Sequence, residues 1–136
     1  MATMQRINAM SAQERFDYWQ VESEKCLRCY ACRQACPMCY CEQCIAEKSD
    51  PQWIESSPTA RGNYAWTVIR AFHLAGRCVG CNECERACPV GIPLSLLNRR
   101  MGMIAREDFN FMPGMDINAP TLIGTYEVKD RQDYIK

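Results

Sequence analysis

Residues 26–44 read CLRCYACRQACPMCYCEQC, seven cysteines in nineteen residues. The first four, Cys26, Cys29, Cys32 and Cys36, follow the pattern C-x2-C-x2-C-x3-C-P, closed by Pro37. The pattern returns at residues 78–89, CVGCNECERACP, with Cys78, Cys81, Cys84, Cys88 and Pro89. Three thiolates at this spacing on a tight turn can wrap three corners of a cubane cluster, while the fourth cysteine lies on the chain leaving the loop. The proline restricts the backbone around that cysteine and helps turn the chain away. Two complete copies predict two [4Fe–4S] clusters, and neither copy lacks a cysteine, so a three-iron cluster has no support.

In two-cluster ferredoxins the fourth cysteine of each run serves the other cluster. On that pattern cluster I takes Cys26, Cys29, Cys32 and Cys88, and cluster II takes Cys78, Cys81, Cys84 and Cys36. Such cross-bracing would tie the two halves together and keep the clusters close enough for electrons to hop between them.

The rest of the composition agrees with metal. Eleven cysteines in 136 residues is an odd number in tight clusters. The N-terminus, MATMQRINAMSAQERF, has no apolar core or small-residue cleavage site of a secretory signal, so the expected location is cytoplasmic, where thiols bind metal rather than pair. No run approaches the eighteen apolar residues of a membrane span. Sixteen basic and sixteen acidic residues balance, so no global field suggests nucleic acid. The charge is uneven, with seven Arg against Glu83 and Glu85 over residues 59–106, and six acids against three bases over residues 107–136. This is either solvated surface or a docking surface for a partner. With no G-x-G-x-x-G, no phosphate-binding loop and no nucleophile–base set, hydride chemistry is expected on another chain.

Forty-one residues separate Cys36 from Cys78, and the later part of that link reads as helix. Ser57 or Thr59 can cap it, Tyr64, Val68, Ala71, Phe72 and Ala75 follow at helical spacing, and Gly76 can stop it. Pro93 suits a first helical position, with Leu94, Leu97 and Met101 on one face beyond it. Upstream, Ser11 and Glu14 form a capping-box signature ahead of Phe16 and Trp19. Two-residue alternation appears only in TLIGTYEV, residues 121–128, so the expected class is mostly α.

Two C-x2-C-x2-C-x3-C-P runs, a helix between them, and CPVGIPL after the second resemble the α-helical ferredoxin fold. That fold occurs in iron–sulfur subunits of heterodisulfide reductase and succinate dehydrogenase. The opening EKCLRCYACRQACPMCYCEQC resembles electron-transfer subunits or domains of anaerobic formate dehydrogenase, hydrogenase and heterodisulfide-reductase assemblies. The resemblance covers about residues 15–106. It implies a hetero-oligomer in which the chain passes electrons between larger redox subunits carrying flavin or metal cofactors. The expected organisation is a helical lead-in over residues 1–25, an α-helical ferredoxin-like dicluster domain over 26–106, and an extended C-terminal arm over 107–136. Phe109, Phe111, Met112, Met115, Leu122, Ile123 and Tyr126 are unusually apolar for a solvated tail, and predict an arm laid over a partner or over the domain itself.

Cys39, Cys41 and Cys44 belong to neither run. They predict either a third metal site, an iron–sulfur cluster ahead of structural zinc, or buried free thiols. A fourth ligand could come from His73, a partner chain or an exogenous molecule. The main expectation is a non-catalytic relay; the alternative is an enzyme subunit with a substrate-accessible metal at these cysteines. Arg28, Arg33, Arg77 and Arg86 beside the runs are candidates to raise cluster potential. Tyr30 and Tyr40 would shield metal from water.

Overall fold

The structure is a computed structural model that describes residues 2–130 and 132. After α1 (Ala2–Ala9), Ser11 opens α2 (Ala12–Glu24) through the expected capping box: its hydroxyl accepts from Glu14 N at 3.3 Å and its own N–H donates to the Glu14 carboxylate at 2.7 Å. The first cysteine run winds one short turn, α3 (Ala31–Gln34). A long connection with a 3₁₀ turn at Ile45–Glu47 leads to α4 (Ala60–Leu74). The second run winds α5 (Glu83–Arg86) and leads into α6 (Leu94–Phe109). No strand occurs among the described residues, so the chain is mostly α. TLIGTYEV does not pair; Leu122–Gly124 closes a 3₁₀ turn with Gly124 N donating to Thr121 O at 2.9 Å. A single short strand with no neighbour cannot satisfy its backbone, and a local turn can.

Thr59, rather than Ser57, caps α4, its hydroxyl accepting from Gly62 N at 3.1 Å. The inner face of α4 differs from the apolar stripe that periodicity predicts. It buries Gly62, Asn63, Trp66, Thr67, Arg70, Ala71 and Leu74, whereas Phe72 is exposed. Three of those seven are polar because the face meets backbone carbonyls of the cysteine loops: Asn63 Nδ2 donates to Cys26 O at 2.8 Å and Arg70 Nη2 to Cys32 O at 2.9 Å. A Cβ at Gly62 would stand 3.0 Å from Thr59 Oγ1 and 3.1 Å from Ser57 O, so a larger residue would crowd the cap.

Helix α4 is the axis of the fold. It packs against α2 on one side and α6 on another, and α3, α5 and α6 pack in sequence around the cysteine runs. Phe16 of α2 meets Tyr64 of α4 edge-on at 5.3 Å. The apolar core is two small groups, Ala46 with Ile54 and Trp66, and Cys84 with Ile92 and Leu94; Cys26 and Cys32 touch both. Thiols thus occupy the centre, where an ordinary domain of this size would place aliphatic side chains.

Helix α6 continues to Phe109, and the chain then turns back toward the end of α4. A Cβ on Gly76 would lie 3.2 Å from Leu122 N and 3.6 Å from Phe111 Cε1. Gly76 therefore lies outside α4, which stops at Leu74, and admits the returning segment. Met115, Ile117, Tyr126 and Val128 are exposed. Residue 1 of the N-terminal lead-in, and residues 131 and 133–136 of the expected arm, lie outside the described residues. No helix among the described residues is long and apolar enough to cross a membrane.

Candidate functional site

The two cysteine runs share a backbone as well as a spacing. The residue before the second cysteine of each run has positive φ: Arg28 at 58° and Gly80 at 74°. So does the residue after it, Tyr30 at 58° and Asn82 at 66°. Each run then makes its single helical turn and places its fourth cysteine on the exit, Cys36 N donating to Arg33 O at 3.2 Å and Cys88 N to Glu85 O at 3.1 Å. Left-handed residues reverse the chain sharply enough for three thiols to face inward from one loop.

Arg28 is an unusual occupant of that conformation, which costs an L-residue about 1–2 kcal/mol. It is only 7% exposed, and its contacts offset the cost. Its Nη1 donates to Gly62 O at 2.9 Å and its Nη2 to Tyr30 Oη at 3.1 Å, and the guanidinium lies 5.5 Å and 5.8 Å from the rings of Tyr30 and Trp66. Gly80 needs no such bracing, and a Cβ there would meet nothing within 4 Å.

Cys26, Cys29, Cys32 and Cys88 line one small void, walled by Leu27, Trp66, Ile92 and Leu94. Cys36, Cys78, Cys81 and Cys84 line a second, walled by Met38, Leu74 and Asn98. Each void therefore has three thiols from one run and the fourth cysteine of the other. Among the described residues no group of three or more Cys, His, Asp or Glu is drawn around one metal-ion position. Thiols spread around a void suit the corners of a cubane better than a single ion, whose bonds to sulfur would be about 2.3 Å long. The donor sets fit two [4Fe–4S] clusters.

The immediate surroundings are apolar with a few directed donors. Arg28 N donates to Cys26 Sγ at 3.4 Å, and Asn98 Nδ2 donates to Cys84 Sγ at 3.5 Å. Burial pushes the thiols of Cys26, Cys32 and Cys84 above their ordinary value, and the Arg70 charge partly offsets this at Cys32 and Cys84. As free thiols they stay protonated at neutral pH, so loading of metal must release their protons. Glu85 anchors the start of α6 by accepting from Ser95 N at 3.1 Å, which holds Asn98 one turn further on against the second void.

Of the arginines singled out from sequence, Arg28 is built into the first loop, and Arg33 pairs with Glu47 at 2.7 Å. Arg77 stacks 4.9 Å from the ring of Tyr40, and Arg86 pairs with exposed Glu83 on the surface. Tyr30 lines the first void, edge-on to Trp66 at 5.2 Å, whereas Tyr40 is exposed beneath Arg77. Sequence reasoning passed over Asn63, Arg70 and Asn98. A signal was present: Asn63, Thr67, Arg70 and Leu74 recur at helical spacing within one segment, a polar stripe that a purely apolar search discards. The remaining cysteines, Cys39, Cys41 and Cys44, line a third cavity beside α4.

A family model described as a 4Fe-4S dicluster domain matches residues 25–93. Among curated proteins, the F420-dependent formate dehydrogenase subunit beta of Methanocaldococcus jannaschii is 35% identical over 105 residues, 76% of this chain and 27% of that protein. The F420-dependent formate dehydrogenase 1 subunit beta of Methanococcus maripaludis is 31% identical over 106 residues, 78% of this chain and 27% of that protein. The chain thus spans about a quarter of the length of these relatives, which contain much besides the matched region. Since the family match takes in both cysteine runs, the chain belongs to the 4Fe-4S dicluster domain family, with two [4Fe–4S] clusters as its cofactors.

Proposed function

We propose that the chain relays single electrons through its two clusters between redox subunits of an oxidoreductase assembly of the formate dehydrogenase type. Cys26, Cys29, Cys32 and Cys88 would hold cluster I, and Cys78, Cys81, Cys84 and Cys36 cluster II. The observation that carries this is the exchange of fourth cysteines between the two voids. A bound [4Fe–4S] cluster supplies reversible one-electron chemistry.

The chain's own residues then set the conditions. Trp66, Ile92 and Leu94 exclude water from the first site, and Met38 and Leu74 from the second. Arg28 N and Asn98 Nδ2 donate to cysteine sulfur and so favour the more negative, reduced state. The relatives are described as F420-dependent formate dehydrogenase subunits, which favours a partner that carries the hydride chemistry of formate or of F420. Arg61, Arg86, Arg99, Arg100 and Arg106 against Glu83 and Glu85 give the stretch over residues 59–106 a net positive charge that favours an acidic partner surface.

The test is EPR of anaerobically purified chain during stepwise reduction with dithionite. Two interacting [4Fe–4S] signals from at least about eight irons per chain are expected. Metal that stays bound but redox-silent across the accessible range would sink the relay and leave a structural role.

A further inference from the structure

Beside α4 a third cavity, about 220 Å³, opens between the cysteine knot and the helix. Cys39, Cys41 and Cys44 line it together with Arg33 of the first run, Arg70 of α4 and Arg77. Each arginine brings a buried N–H with no hydrogen-bond partner: Nη1 of Arg33, Nε of Arg70 and Nε of Arg77. Arg70 is 4% exposed, so its charge and its unpartnered donor are both withdrawn from water. A buried donor left without an acceptor is destabilising, more so on a charged group. Three around one cavity point to an anionic occupant with several acceptor atoms. Glu47 takes up the Nη2 of Arg33 at 2.7 Å and leaves Nη1 free for it.

We propose that Cys39, Cys41 and Cys44 bind a third iron–sulfur cluster in this cavity, with Arg33, Arg70 and Arg77 donating to its sulfur. The inference rests on the two-cluster reading above, because it leaves Cys36 to cluster II. A cluster held by three thiolates is anionic and carries inorganic sulfides, which are acceptors for Nη1 of Arg33 and Nε of Arg70 and Arg77. Zinc on the same thiolates would bring no acceptor of its own. Free packed thiols would be weak acceptors for these charged groups, and Nη1 of Arg33 and Nε of Arg70 and Arg77 still lack a partner beside them. One iron would lack a cysteine; His73, on the cavity wall, is within the same lining and is the protein group placed to complete it. Arg70 also lines the void of cluster I and its charge acts on Cys84 of cluster II, so one guanidinium stands among all three sites. The third site therefore continues the relay away from the two runs.

The test compares the full chain with its Cys39→Ala/Cys41→Ala/Cys44→Ala variant, both purified anaerobically and reconstituted with iron and sulfide. Iron, acid-labile sulfide and zinc are counted, and EPR is recorded after dithionite reduction. The expected result is about twelve irons in the parent and about eight in the variant, with the two-cluster signals retained. Because the triple variant can fail to fold, single Cys41→Ser is measured in parallel; Cys41 is exposed, and its replacement should alter only the additional signal. Arg33→Gln/Arg77→Gln should lower the potential of that signal or lose it, and leave the other two. About eight irons in the parent, with zinc or without it, would overturn the third cluster while the two-cluster relay stands. Fewer than eight would break the two-cluster reading and this inference with it.

Discussion

The first and second cysteine runs have the same spacing and the same pattern of left-handed residues, yet they are held in different ways. The second is held by its own continuation: Gly80 takes the strained position without a side chain, and α6 returns Asn98 to Cys84. The first is held by distant chain, with Arg28, Gly62, Asn63 and Arg70 linking it across more than thirty residues to α4. The divergence is sharpest after the fourth cysteine. Cys39 N donates to Cys36 O and Gly91 N to Cys88 O, both at 3.2 Å, so the turn is repeated. At that matched position one run has a glycine with φ 66° and the other the first cysteine of a third group. A duplicated loop keeps its ligand geometry because the cluster demands it, while its support is free to change.

The exchange of fourth cysteines is the point at which this comparison can be broken most decisively. Cys88→Ala should remove the EPR signal that Cys29→Ala removes, and Cys36→Ala the signal that Cys81→Ala removes, each with a loss of about four irons. If Cys88→Ala instead copied Cys81→Ala, the runs would be independent and the cross-bracing wrong.

A smaller effect separates the supports. Arg28→Ala loses buried hydrogen bonds and stacking on Tyr30 and Trp66 but keeps the left-handed strain, and should lower stability by about 2–4 kcal/mol. Gly80→Ala meets no atom, so only the backbone term remains, about 1 kcal/mol. Denaturant unfolding of the loaded protein checks both, and equal losses would show that the two loops are supported alike.

Smaller again, Asn98→Leu removes the donor to Cys84 sulfur and should lower the potential of cluster II by about 30–60 mV without moving cluster I. Potentiometric EPR reads this directly; a shift in both clusters would mean that Asn98 acts through the fold.

The least effect belongs to the partly exposed Arg33–Glu47 pair. Arg33 holds the Glu47 carboxyl below its ordinary value, so the pair's contribution is present at neutral pH and fades as acid protonates Glu47. Thermal unfolding followed downward in pH should therefore show a slightly shallower loss in Glu47→Gln than in the parent. An identical pH slope would show that the pair is immaterial to stability.

Much of this was legible beforehand. The cluster count, the capping box at Ser11, the helices beginning at Thr59 and Pro93, and the mostly-α class follow from local rules: thiol spacing, caps and proline positions act within a few residues. The buried face of α4 was not legible. Of the expected stripe Ala71 is buried on that face, whereas Tyr64 packs on Phe16 of α2 and Phe72 is exposed, because that face is chosen by carbonyls on loops thirty or more residues away.

By itself, then, the sequence determined what the protein binds, since ligand type and spacing are intrinsic to the cysteine runs. Tertiary structure alone decided which polar groups meet which sulfur. Asn63, Arg70 and Asn98 become donors only when α4 and α6 close over the loops, and hydrogen bonding depends on distance in space rather than along the chain. The same closure brings Arg70 and Arg77 to the three spare cysteines, beside Arg33 of the first run. Their positions along the chain do not announce that meeting, because it takes a helix side packed against a loop to create it.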